Sequence, residues 1–226
     1  MAALQIIATG DGSHTLLNSD LNETYHSRHG ALQESQHVFI QRGMLAWLAS
    51  HPATTAVRIL EIGLGTGLNA WLTVLEADNY PSIQFQYTAL EPYPVEAAIL
   101  QQLNYIQPAQ VKQQAYFNAI HQATENQQVA LTGNFLIEKL RAEIQTAEVS
   151  KQYDVIYFDA FAPNKQPELW EKPIIKKVTD LLAPSGVWVT YSAKGQLKRD
   201  LKALGLQVET LPGPPGKAEM VRAINH

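Results

Sequence analysis

The sequence predicts an α/β fold: a mostly parallel, seven-stranded sheet with helices on both faces, an antiparallel C-terminal edge strand and a small N-terminal extension. Three observations carry this expectation. Residues 57–68 read V-R-I-L-E-I-G-L-G-T-G-L, a β-branched run that breaks into three alternate glycines and returns to helix formers. Further apolar runs alternate with helical stretches and end in carboxylates, as in F-Q-Y-T-A-L-E and Y-D-V-I-Y-F-D. The last two strands, L-Q-V-E-T-L and E-M-V-R-A-I, are joined by the turn P-G-P-P-G-K, which makes an antiparallel edge. At 226 residues the simplest organisation is one domain over residues 31–226 behind a hairpin-like extension over residues 1–30.

The extension is polar and turn-rich, with T-G-D-G-S-H at 9–14 and L-N-S-D-L-N-E-T-Y at 17–25. A helix from about 35 to 50 follows, its apolar face formed by Val38, Phe39, Met44, Leu45 and Leu48, and His51-Pro52 ends it. After the strand at 57–62, Gly63, Gly65 and Gly67 allow the backbone positive φ and close approach to a ligand, whose charge meets the N–H groups of the helix at 68–77. A second strand ends at Glu91, and Pro92-Tyr93-Pro94 fixes its exit. Residues 95–125 read as helical with a break near Pro108. Q-V-A-L-T-G-N reads as the third strand with Asn134 at its carboxyl end, followed by a helix from about Phe135. Asp159 ends the buried strand at 153–159; a helix over 167–182, the strand V-W-V-T-Y-S and a helix over 196–204 complete the pattern.

Composition bounds the function. The formal charge of −4 and a pI near 6.0 argue against a general polyanion binder. Yet Lys172, Lys176, Lys177, Lys194, Lys198, Arg199, Lys202, Lys217 and Arg222 crowd the last quarter of the chain and allow a local basic face. The absence of cysteine excludes disulfides and thiolate metal sites, and His26, His29 and His37 match no common ligand spacing, so no metal is expected. With neither a leader-like start nor a membrane-length apolar window, a cytoplasmic protein without membrane contact is expected.

The glycine loop selects its ligand. A dinucleotide fingerprint needs a third glycine where Leu68 stands, which disfavours NAD and FAD. Glu61, two residues before Gly63, would repel a pyrophosphate but suits an amino group or a sulfonium. Glu91, 24 residues after Gly67, suits a pair of ribose hydroxyls. Ligands bind beyond the carboxyl ends of strands in open α/β sheets, so Glu61, Glu91, Asn134 and Asp159 are expected to converge on one crevice.

E-x-G-x-G-x-G resembles the first motif of class I S-adenosylmethionine (SAM) methyltransferases. E-S-Q-H-V-F-I at 34–40, E-I-G-L-G-T-G-L-N at 61–69, F-D-A-F-A-P-N-K-Q-P-E-L-W at 158–170 and P-G-P-P-G-K-A-E-M at 212–220 resemble the methyltransferase domain of the MnmC family of tRNA wobble-uridine modification enzymes. The resemblance runs from about Tyr25 to the C-terminus. It implies a Rossmann-like fold and SAM-dependent methylation of 5-aminomethyl-2-thiouridine at the tRNA wobble position, giving 5-methylaminomethyl-2-thiouridine. SAM is then the cofactor, without metal or FAD, and the tRNA anticodon stem-loop the partner, with no obligate protein partner. The family's larger enzymes add a FAD-dependent oxidase domain, and this chain ends where that domain would begin, which implies a standalone methyltransferase.

On this reading Glu61, Gly63, Gly65, Gly67, Glu91, Asn134 and Glu34 serve the cofactor; Asn134 stands where a family relative carries Asp. Asp159 is the catalytic residue, holding the substrate ammonium, orienting its lone pair and accepting its proton. Phe161 would stack on the uracil, Pro163 shape the pocket and Tyr25 close it, while Lys165, Lys194 and Lys217 would meet phosphates. The alternatives are a methyltransferase or aminopropyltransferase-like enzyme acting on a small amine, and a non-catalytic SAM- or nucleotide-binding protein.

Overall fold

The structure, a computed structural model, describes residues 3–107, 109–149 and 152–226. Its main sheet has eight strands in the order β10-β11-β9-β8-β4-β5-β7-β6. The five inner strands β4 (Ala56–Ile62), β5 (Gln84–Leu90), β7 (Phe135–Leu140), β8 (Tyr153–Phe158) and β9 (Leu182–Thr190) run parallel. Because both faces of β4 and β8 are covered, their sequences carry apolar residues on both faces rather than alternating, interrupted only by Arg58, Glu61 and Asp154. Ile59, Tyr87, Val155 and Tyr157 pack on one face, while Leu60, Ile62, Ile156 and Phe158 pack on the other. Antiparallel strands flank this parallel block: β6 (Gln128–Thr132) on one side, β11 (Glu219–Ile224) and β10 (Gln207–Pro212) on the other.

The count is eight, not the expected seven, because Gly133-Asn134 is a two-residue hairpin turn between β6 and β7 rather than a strand end. Gly-Asn between two β-branched runs is a recognised hairpin signal. Residues from Phe135 therefore form the parallel strand beside β5, in register Phe85 to Phe135, where a helix was expected.

The N-terminal extension is a three-stranded antiparallel sheet, β1 (Leu4–Ala8), β2 (His14–Asn18) and β3 (Glu23–Thr24). Its turn at 9–13 caps the first helix. The Ala31 and Gln33 N–H groups donate to Thr9 Oγ1 at 3.3 Å and Asp11 Oδ2 at 3.1 Å, satisfying donors that a helix start leaves free. Despite partial burial, hydrogen bonds from Ser13, Thr9 and Gln33 hold the Asp11 carboxyl below its usual value.

That helix, α1, covers residues 31–50 and is π-helical over Gln36–Leu45 between α-helical ends. Gly43 lets it lie close on the sheet: a Cβ there would come within 3.0 Å of Val189 and 3.2 Å of Tyr157. The remaining helices are α2 (Leu68–Ala77), α3 (Ala97–Leu100), α4 (Val111–Gln122), α5 (Lys172–Thr179) and α6 (Gly195–Ala203). The expected helix over 167–182 is shorter, a 3-10 turn at Pro167–Trp170 followed by α5. Pro108, the expected break before α4, lies outside the described residues. No helix among the described residues is long and apolar enough to cross a membrane.

Candidate active site

The order of winding switches at β4, with β5 laid on one side of it and β8 on the other, the kind of switch point at which ligands bind in open α/β sheets. Backbone hydrogen bonds tie the strand ends together: Asp159 N–H donates to Ile62 O at 3.0 Å, Gly63 N–H to Leu90 O at 3.0 Å, and Glu91 N–H to Leu140 O at 3.0 Å. The glycine loop thus lies against the ends of both neighbouring strands. Gly63 has φ 90°, and a Cβ there would fall 2.8 Å from the Asp159 carbonyl oxygen, so any other residue would push the loop and Asp159 apart.

Glu91 accepts hydrogen bonds from Gly65 N–H and Tyr93 N–H, both at 2.9 Å, so its carboxylate is fixed at the loop. Burial raises its pKa, and those two hydrogen bonds oppose the rise. Beside it lies an open cleft lined by Leu64, Gly65, Glu91, Val95, His121 and Leu140 among others. His121, from α4, has its pKa pushed down to about 4 by burial and by Lys139, so it is neutral at pH 7.

Glu61 is fully buried at the base of the loop. Burial pushes its pKa well up, with nearby Asp159 and Glu91 adding to the effect. Asn69, in the first turn of α2, donates from Nδ2 to Glu61 Oε1 at 2.9 Å and to Asp159 Oδ2 at 2.8 Å, linking the two carboxylates. The buried Tyr87 hydroxyl lies next to the Glu61 carboxyl and interacts with it, although Glu61 Oε2 makes no hydrogen bond of ordinary geometry among the described residues. Burial and the Glu34 carboxylate push Asp159 up to about 7, against the Asn69 hydrogen bond and the Lys217 charge.

Beyond Asp159 lies an aromatic wall. Tyr25 and Phe161 meet edge to face with ring centroids 5.1 Å apart. Tyr25 also packs over the loop, where a Cβ on Gly65 would meet its ring at 2.9 Å. Burial, with a smaller contribution from Glu91, pushes the Tyr25 hydroxyl up to about 12. Tyr191, at the carboxyl end of β9, donates to Ala160 O at 2.8 Å, and the Lys217 ammonium sits 3.7 Å above its ring centroid.

The structure therefore gathers Glu61, Gly63, Gly65, Gly67, Glu91, Asp159, Tyr25, Phe161 and Glu34 at one end of the sheet, with Pro163 in the half-buried segment after Asp159. It removes Asn134. That residue starts β7 instead of ending a strand, so it lies at the opposite end of the sheet, donating from Nδ2 to the carbonyls of Ala77, Tyr80 and Ile83 at 3.1–3.2 Å. Asn134→Ala is accordingly expected to cost roughly 1–3 kcal/mol in a urea melt and to leave SAM affinity by calorimetry unchanged.

Three further residues have partners that the sequence did not suggest. The Glu34 carboxylate accepts from Ser27 N–H at 2.9 Å and pairs with Lys217. Lys165 is tied to the N-terminal sheet, donating to Leu21 O at 2.9 Å and Asn22 O at 3.0 Å, and Lys217 points inward. Of the three lysines only Lys194, at the start of α6, is exposed as a phosphate contact requires. Asn69, Tyr191 and His121 were missed. Asn69 and Tyr191 had a signal, the first helical turn after the glycines and the end of the T-Y-S strand; His121, which reaches the loop through tertiary packing, had none.

A family model described as S-adenosyl-L-methionine-dependent methyltransferase matches residues 102–226, more than half of the chain. The chain belongs to this family. The methyltransferase is 30% identical over 218 residues to the tRNA 5-methylaminomethyl-2-thiouridine biosynthesis bifunctional protein MnmC of Pseudomonas savastanoi pv. phaseolicola, with 90% of this chain and 32% of that protein covered. It is 26% identical over 213 residues to the protein of that name from Methylobacillus flagellatus, covering 90% and 33%. The methyltransferase thus spans about a third of the length of the curated relatives it matches. Among solved structures, MNMC2 from Aquifex aeolicus superposes with a TM-score of 0.80 at 23% identity, covering 99% of this chain and 70% of that one. Spermidine synthase from Thermotoga maritima gives 0.52 at 13% identity, covering 94% and 68%. Both likenesses show the fold.

The residues present fit SAM. Glu91 is held at the loop with spare acceptor capacity for ribose hydroxyls, and the cleft beside it runs past Leu64 and Leu140.

Proposed function

We propose that this methyltransferase methylates the aminomethyl nitrogen of 5-aminomethyl-2-thiouridine at the tRNA wobble position, giving 5-methylaminomethyl-2-thiouridine. It does so in the cytoplasm, on the anticodon stem-loop, without metal, FAD or an obligate protein partner. The observation that carries the reading is Asp159, a carboxyl with its pKa raised to about 7, adjoining the cofactor loop on one side and the Tyr25–Phe161 wall on the other. The similarity to proteins named for 5-methylaminomethyl-2-thiouridine biosynthesis supports the choice of acceptor.

SAM, when bound, supplies an electrophilic methyl group on a sulfonium. The chain's task is to deliver a neutral amine to it. An alkylammonium is a poor nucleophile, and Asp159, with a pKa near neutrality, can hold the ammonium, take its proton and leave the lone pair oriented. Asn69 fixes the Asp159 carboxylate through Oδ2, leaving Oδ1 for the amine. Tyr25 and Phe161 exclude water and offer ring faces to a planar base. Lys194 on α6 is the phosphate contact in this reading.

Nucleoside mass spectrometry tests the proposal on tRNA carrying 5-aminomethyl-2-thiouridine, after incubation with the protein and SAM. A gain of one methylene on that nucleoside alone is the expected result. Methyl transfer to a polyamine or another small amine, with the tRNA unchanged, would replace the acceptor with a small molecule.

A further inference from the structure

Lys217 belongs to the loop at 212–218, and this loop is clamped. His37 Nε2 hydrogen-bonds Pro212 O at 2.8 Å, Gly213 N–H donates to Ala218 O at 3.1 Å, and Lys217 N–H donates to Pro214 O at 2.9 Å. Gly216 lies directly on the His29 ring, since a Cβ there would fall 2.0 Å from Cδ2. The clamp turns the Lys217 side chain inward. Its ammonium pairs with Glu34 Oε2 and lies 3.7 Å above the Tyr191 ring, with Asp159 close enough for its charge to be felt there.

The Glu34 carboxylate and the Tyr191 ring face form a cage suited to one alkylammonium ion. Glu34 is only 5% exposed, so leaving its charge without a counter-ion would be costly. The group now in the cage is a primary alkylammonium, the same chemical class as a protonated aminomethyl substituent. We propose that Lys217 is an internal stand-in for the substrate ammonium, holding the Glu34–Tyr191 cage, which Tyr191 ties to the Ala160 carbonyl next to Asp159, until the acceptor amine displaces it. This rests on the reading that the acceptor is an amine. Glu34 is then a positioning residue that receives the incoming ammonium and keeps it beside Asp159. The exchange is neutral in charge, one ammonium for another.

Removing the stand-in leaves the cage open to a small cation. Lys217→Ala is expected to bind ethylammonium chloride saturably, with a Kd on the order of 1–10 mM in calorimetry against sodium chloride of equal ionic strength. Wild type should bind at least about tenfold more weakly, and Lys217→Ala combined with Glu34→Gln should lose the binding. Equal titrations of Lys217→Ala and wild type would overturn the proposal. If Lys217→Ala does not fold, acetylation footprinting of the wild type decides instead. Trimethylammonium, which keeps one N–H for Glu34 and forms no stable amide, should speed labelling of Lys217 several-fold relative to exposed Lys194; equal rates would overturn it. Ammonium capture without any RNA methylation supports the cage and removes the tRNA reading. RNA methylation without capture removes the stand-in alone.

Discussion

Asp159→Asn is expected to slow methyl transfer roughly a thousandfold at saturating substrates, within the range lost when a general base is removed. The cause is specific. An amide at this position still reaches Asn69 and fills the same volume, so the loop contact through Asp159 N–H and Ile62 O survives, but it neither accepts a proton nor balances an ammonium. Wild-type activity should climb as pH rises through about 7, where Asp159 ionises, and the variant should lack that limb. A pH–rate profile of single-turnover methylation makes the comparison, and a variant within tenfold of wild type would remove Asp159 from the mechanism.

The same substitution should raise stability. The folded pKa of Asp159 lies above that of an unfolded Asp, so the ionised carboxylate destabilises the native state fully above about pH 7. That penalty shrinks as pH falls from about 7 towards 3.8 and is gone below it, where both states are protonated. Asp159→Asn should therefore gain on the order of 1–3 kcal/mol over wild type above pH 7, the gap closing on acidification. Buried His26 and His121, both depressed to about 4, act oppositely, but they are present in both proteins and cancel in the difference.

Glu91→Ala should weaken SAM binding roughly a hundredfold, the scale of two charge-assisted hydrogen bonds lost together. The half-buried carboxylate is the one acidic group fixed on both Gly65 and Tyr93, and its removal also frees the loop N–H groups it organises. Calorimetry with SAM checks it; an affinity within threefold of wild type would mean the ribose is held elsewhere. The kcat at saturating SAM should change far less, because Glu91 makes no contact with Asp159.

The parallel block was readable because strands buried on both faces are written as mostly apolar runs without alternation, and glycines at 63, 65 and 67 mark the loop whatever lies around them. Glu61, Glu91 and Asp159 followed from the strand-end rule alone. The rule failed at Asn134 because it needs strand direction, and a short run before Gly-Asn reads equally well as a parallel strand or as the first arm of a hairpin. The lysines failed for another reason. Lys165 and Lys217 look like surface cations in sequence, and only tertiary structure brings them to Leu21 and Asn22 or to Glu34, 183 residues away in the last case. The π-helical stretch of α1 has no local sequence signature; Gly43 pressed on Val189 and Tyr157 locates it only once the sheet is in place.

Antiparallel strands on both flanks of the parallel block have a mechanical consequence. In the main sheet each of β4, β5, β7, β8 and β9 has a hydrogen-bonded neighbour on both sides, and among the described residues its edges are β6 and β10. Fraying begins at edges, where amides exchange fastest, so the strands that lead to Glu61, Glu91, Asp159 and Tyr191 are expected to exchange more slowly than β6 and β10. The hairpin at Gly133-Asn134 acts as a selvedge, carrying no chemistry itself and keeping the weave from loosening where the chemistry is.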